Sequence, residues 1–115
     1  MHEMGVAMEV IRIARDEAKS IGAAARVVGL RLRVGRWSGV EPESLRFCLE
    51  ALTDDTELNG CRLDITMVEP EFQCGQCMQR YPADSYFVPC PQCGGAAELV
   101  AGDELTLAEL EVEEP

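Results

Sequence analysis

A chain of 115 residues, 47% of them apolar, can build one ordinary domain or a small domain carrying a smaller one. No apolar run reaches the roughly 18 residues needed to cross a bilayer, and the start lacks a basic region followed by an apolar stretch. Neither a membrane span nor a secretory signal is expected, and the expected location is cytoplasmic. The net charge of −11 is uneven: residues 1–60 carry ten acids and eight bases, whereas residues 61–115 carry eleven acids against Arg62 and Arg80. Such a surface repels phosphate backbones and disfavours nucleic acid.

In chain order, Met4, Met8, Ile11, Ala14, Ala18 and Ile21 recur at spacings of three and four, which predicts a helix over 4–21 ending near Gly22. Val28, Leu30, Leu32 and Val34 alternate with Gly29, Arg31 and Arg33, which predicts a strand over 26–34 with one apolar and one basic face. Residues 35–41 read as a connecting loop. A second helix is expected over 42–53, with Pro42 at its first position and Glu41 and Glu43 at the positive end of its dipole. Its buried stripe would be Leu45, Cys48, Leu49 and Leu52. Asn59-Gly60 closes a loop before a strand over 61–68, with Cys61, Leu63, Ile65 and Met67 on one face. After a cysteine-rich stretch, Leu105 and Leu107 share one parity, whereas Leu110 and Val112 share the other. A strand with one β-bulge near Ala108 or Glu109 reconciles them. Residues 111–115 are acidic and expected to fray. The order predicts an α+β fold: a small three-stranded sheet with two helices packed on one face, and a cysteine module inserted before the last strand.

The module holds Cys74-Gly75-Gln76-Cys77 and Cys90-Pro91-Gln92-Cys93, with twelve residues between the pairs. About 30 residues of such composition cannot bury enough apolar surface to fold without a staple. Each pair can offer two thiolates from one tight turn. Gly94 and Gly95 permit the positive φ that such a turn often needs. Four sulfurs in a tetrahedron suit structural zinc; iron of the rubredoxin type and redox disulfides are the other chemistries open to them. With all four positions filled by protein, no site is left to activate water. Cys48 and Cys61 lie on apolar faces and read as small packing residues.

The only histidine is residue 2. The Met1 amine, the His2 amide nitrogen and the His2 imidazole Nδ1 can close fused five- and six-membered chelate rings, which gives three corners of a square. Nickel(II) and copper(II) favour that geometry and zinc does not. A histidine at position 2 is too large for ordinary removal of the initiator methionine, which keeps the amine in register. The backbone amide or carboxylate of Glu3, a carboxylate from the sheet domain, or a partner can supply the fourth corner.

Taken together, Met1-His2-Glu3, the stretch Gly35-Arg36-Trp37-Ser38-Gly39-Val40-Glu41-Pro42-Glu43-Ser44-Leu45, the two Cys-x-x-Cys pairs and Gly102-Asp103-Glu104-Leu105 resemble the hydrogenase maturation nickel metallochaperones of the HypA/HybF family. The resemblance covers essentially the whole chain. It implies a nickel-binding domain formed by 1–70 and 99–115, with a zinc-ribbon-like domain inserted at 71–98. It implies nickel held through His2 with Met1 and Glu3, and structural zinc on Cys74, Cys77, Cys90 and Cys93. In some relatives an acidic residue just before the second helix approaches nickel. Glu41 matches that position, and its simpler role is to stabilise the helix N-terminus. Some relatives also bring a zinc-domain histidine to nickel; this chain has none there. The implied partners are the HypB GTPase and the precursor of the [NiFe] hydrogenase large subunit, with urease maturation proteins in some relatives. No nucleophile–base pair is in view, so a non-enzymatic carrier is expected. A zinc-ribbon interaction adaptor without a nickel role is the alternative.

Overall fold

The computed structural model describes residues 3–83 and 89–114. Its elements are α1 (Glu3–Ile21), β1 (Arg26–Gly35), α2 (Pro42–Thr53), β2 (Arg62–Val68), β3 (Glu71–Cys74), β4 (Arg80–Pro82), β5 (Ala97–Ala101) and β6 (Leu105–Glu113). One sheet has the order β2-β1-β6, with β1 parallel to β2 and antiparallel to β6. Two parallel strands need a crossover between them, and α2 supplies it. The second sheet, β4-β3-β5, is antiparallel throughout.

Both helices pack on one face of the first sheet, as the alternation predicts, and the core is almost entirely aliphatic. α1 buries only half of the expected stripe, Ile11, Ala14 and Ala18. Ala7, Val10, Ile11, Ala14 and Ala18 are buried, whereas Met4, Met8 and Ile21 are exposed. Three alanines let the helix lie close to its neighbours, and the bulkier methionines are turned outward. α2 buries Leu45 and Leu49, with Cys48 and Leu52 half-buried beside them. Cys61 lies just before β2 and packs half-buried against the same core; burial pushes its thiol above the usual range.

The expected bulge is at Ala108: Arg31 pairs with Glu109 and Leu32 with Leu107, so Ala108 is the extra residue on β6. A second irregularity, which the alternation does not predict, lies on β1. Val27 pairs with Val112 and Gly29 with Glu111, which leaves Val28 extra on β1. The pleat changes phase there, so Val27 rather than Val28 is buried. The expected fraying also needs correction. β6 stays paired as far as Glu113, opposite Arg26, and the Arg26–Glu113 ion pair of 3.2 Å closes its end.

The sheet's other face is not a free basic surface. Arg31 is paired with Glu109 and Asp64, Arg33 with Glu104, and Arg62 with Glu111 and Asp64.

The two sheets meet where three chain passes converge. The Gly35 N–H donates to Glu104 O at 2.7 Å, that of Arg36 to Val68 O at 2.9 Å, and that of Trp37 to Gly102 O at 2.7 Å. A Cβ on Gly35 would overlap the backbone of Gly102 and Asp103. Gly102, at φ +109°, lies as tightly against Pro70. Arg36 grips Glu69 with two hydrogen bonds of 2.8 and 2.5 Å.

Candidate metal centres

The second sheet has a core of four buried residues, Phe72, Tyr81, Cys74 and Cys90, with Trp37, Ala83, Ala97 and Leu99 packed around it. Two of the four are cysteines, so the centre of this small fold is also its candidate metal site. Cys74 ends β3, Cys77 follows in the turn toward β4, and Cys90 and Cys93 flank the turn before β5.

The two cysteine turns are built alike. The Met78 N–H donates to Cys74 O at 3.1 Å and the Gly94 N–H to Cys90 O at 2.8 Å. The residue after each second cysteine has positive φ: Met78 at 65° and Gly94 at 71°. The sequence points to Gly94; Met78 carries no composition signal for that conformation.

All four sulfurs lie within 4.8 Å of one another. Cys74 Sγ and Cys93 Sγ are 3.4 Å apart, and Cys77 Sγ and Cys90 Sγ 3.6 Å. These separations are far longer than a disulfide bond of about 2.05 Å. A tetrahedral ion with sulfur bonds of about 2.3 Å needs its ligands about 3.8 Å apart. The donor set fits such an ion.

The backbone prepares two of the sulfurs for negative charge. The amides of Cys77 and Gln76 point at Cys74 Sγ, at 3.5 and 3.4 Å, and lower its thiol to about 6. The Cys93 amide likewise draws the Cys90 thiol below its usual range. At Cys77 the Gln79 amide pulls downward, but burial and the neighbouring Cys90 and Cys74 sulfurs prevail and raise it. At Cys93 the Gly95 amide is outweighed by Cys74, burial and the other sulfurs, and the thiol rises to about 11. Four thiols this close cannot all ionise without a cation between them.

The other predicted site residues lie at the helix starts. Glu3 is the first residue of α1 and Glu41 is the N-cap of α2. The Glu41 carboxylate accepts the Ser44 N–H at 2.6 Å, and that bond holds its carboxyl below the usual range. Its backbone N–H donates to Glu3 Oε2 at 2.9 Å, which joins the two helix starts. Met1 and His2 lie outside the described residues. The sequence places Trp37 in the 35–41 loop, and the structure packs it against the second core; a lone tryptophan among glycines is the available signal.

The hydrogenase/urease nickel-incorporation metallochaperone model of HypA matches residues 1–112. The chain is 41% identical to the hydrogenase maturation factor HypA of Geobacter sulfurreducens and 43% to that of Geobacter metallireducens, over 98% of this chain and all of theirs. The chain belongs to the HypA family. It is therefore a nickel metallochaperone of hydrogenase maturation and not an enzyme. Its fold matches the solution structure of the Ni metallochaperone HypA from Helicobacter pylori with a TM-score of 0.67 at 20% identity, each chain fully covered. A second HypA solution structure matches with a TM-score of 0.73 at 22% identity, over 96% of this chain and 95% of the other. No helix among the described residues is long and apolar enough to cross a membrane.

Proposed function

We propose that the chain binds nickel(II) through the Met1 amine, the His2 amide and imidazole and Glu3, and delivers it to the precursor of the [NiFe] hydrogenase large subunit. The observation that carries this reading is the Glu41–Glu3 hydrogen bond. It ties Glu3, the residue after His2 in sequence, to the start of α2, where Glu41 carries a second carboxylate. That carboxylate is spent on capping Ser44, and it would join nickel only by giving up that bond.

Cys74, Cys77, Cys90 and Cys93 would hold zinc, which supplies a cross-link and no reaction. The proposed division is a nickel domain around an inserted zinc domain, with the boundary expected at 98 moved to 101, because β5 (Ala97–Ala101) pairs with β3 and Leu99 packs in the second core. The HypB GTPase, the hydrogenase precursor and, in a urease role, urease maturation proteins are the proposed partners, in the cytoplasm and without nucleic acid.

Nickel titration of the untagged chain tests the reading against His2→Ala and against a chain extended by a few residues before Met1. Both changes should abolish the high-affinity planar nickel spectrum. Equal affinity in all three would favour a zinc-ribbon adaptor without a nickel role. Metal analysis of the purified chain separates zinc from rubredoxin-like iron, which would be coloured.

A further inference from the structure

We propose that the outward face of α2, centred on Phe47, docks the protein partner of nickel transfer, and that the partner meets it with an apolar socket ringed by lysine and arginine. This rests on the metallochaperone reading and concerns where the partner sits.

Phe47 is 71% exposed, the most exposed large apolar side chain among the described residues. Leu45 and Leu49 of the same helix are completely buried, so the ring stands on the side away from the core. Beside it runs a groove of about 580 Å³ between α2 and the stretch leading into β2, where Cys61 and Gly60 form the far wall. An aromatic ring left in water next to a groove is the usual form of an interface anchor.

The charge around Phe47 narrows the choice of occupant. Glu43, Phe47 and Glu50 follow one another at spacings of four and three, so they share one helix face, and Asp54, the residue that caps the helix end, lines the same groove as Phe47 and Glu50. Elsewhere the arginines are engaged: Arg12, Arg15, Arg26, Arg31, Arg33, Arg36, Arg62 and Arg80 all sit in ion pairs. Arg46, the arginine nearest Phe47 in sequence, donates to Leu63 O at 3.0 Å. Glu43, Glu50 and Asp54 form no ion pair among the described residues. Part of the excess negative charge is therefore left unpaired around the exposed ring. A second copy meeting this face about a two-fold axis would set these acids against themselves. A basic partner gains both the apolar contact and the attraction.

The position suits nickel transfer. Phe47 lies six residues beyond Glu41, about 9 Å along a helix axis. Glu41 in turn holds Glu3. A partner seated on Phe47 is thus near Glu3, the described residue closest in sequence to the proposed nickel ligands.

The test measures binding of the HypB GTPase to the untagged full chain by calorimetry at low and high salt. Phe47→Ala should weaken binding by at least about tenfold. The triple change Glu43→Lys, Glu50→Lys, Asp54→Lys should weaken it and remove its salt dependence. Helicity and nickel affinity should match the parent in the Phe47→Ala chain. Unchanged GTPase binding by both variants overturns the proposal while leaving nickel binding intact. A parent chain that does not bind the GTPase overturns the partner assignment and this surface together. Self-association of the parent that Phe47→Ala dissolves would assign the face to a second copy instead.

Discussion

Trp37 stands edge-on to Phe72, ring centroids 6.4 Å apart and planes at 64°, and so carries the loop after β1 into the core of the other sheet. Phe72 in turn lies 5.9 Å from Tyr81. The three rings form a row from the junction toward the cysteines. Since four buried residues make up the second core, one added indole is a large share of its packing. Trp37→Ala should cost about 2 kcal/mol, below the range for a fully buried aromatic because the ring is half-buried. Denaturant unfolding measures that loss. Residual dipolar couplings should show the two sheets losing their fixed orientation while bound metal is retained.

Glu41 has two separable roles. Its carboxylate caps α2 through Ser44, and its backbone N–H holds Glu3. Glu41→Ser keeps a capping oxygen and the backbone donor but removes the carboxylate; Glu41→Ala removes the cap as well. Thermal unfolding should rank the parent and Glu41→Ser close together, with Glu41→Ala lower. If nickel affinity falls equally in both variants, the carboxylate itself contacts nickel. If affinity follows stability, the cap is the whole of its role.

Met78 holds a positive φ of 65° where the sister turn has Gly94. A left-handed conformation costs a side-chain-bearing residue roughly 1–2 kcal/mol, and glycine returns about 0.5–1 kcal/mol of that as unfolded-state entropy. Met78 is 61% exposed, so little packing is lost with it. Met78→Gly should therefore stabilise the metal-loaded chain by up to about 1 kcal/mol, and Met78→Val should destabilise it. Urea midpoints with metal bound give the order.

What could be read from the residues alone follows from how sharply each pattern excludes its alternatives. Pro42 and the leucine spacing admit one helix, and the observed α2 has those bounds. The parity change between Leu107 and Leu110 demanded an extra residue, and Ala108 is that residue. Val27 and Val28 are both apolar, so their types do not mark which is the extra one, and the alternation predicts Val28 in the place that Val27 takes. Along α1 the predicted stripe holds Ile11, Ala14 and Ala18 correctly, but the large methionines extend it past the buried face, which takes Ala7 and Val10 instead. The cysteine spacing foretold the cluster, since two tight turns leave few ways to arrange four thiols. The junction of Gly35, Trp37 and Gly102 depends on contacts across some 65 residues, which no local pattern encodes.

Glu57 ties the loop before β2 to α1 through Arg15, with hydrogen bonds of 2.7 and 3.3 Å. The Arg15 guanidinium, followed by the residue's own amide, holds its carboxyl below the usual range. A depressed carboxyl stabilises the fold above its unfolded-state pKa, and that contribution fades as pH falls through the folded value. The pair is exposed, so the contribution is about 0.5 kcal/mol. Glu57→Gln should lower stability by that amount at neutral pH and by nothing once both carboxyl forms are protonated. Unfolding free energies of the two chains measured down to acid should converge.

Removal of metal should act on one sheet only. The first core holds thirteen buried residues and includes neither a Cys-x-x-Cys cysteine nor Trp37. The second has four, and two of them are thiols of the candidate metal site, which repel one another once ionised. Chelation, or Cys74→Ser with Cys90→Ser, should therefore melt β3, β4 and β5 while α1, α2 and the β2-β1-β6 sheet stay folded. Amide exchange resolved by residue distinguishes this from global unfolding: protection should vanish at Phe72 and Leu99 and persist at Leu30 and Leu49. Loss at all four positions would mean that the junction at Gly35, Trp37 and Gly102 makes the two sheets one cooperative unit.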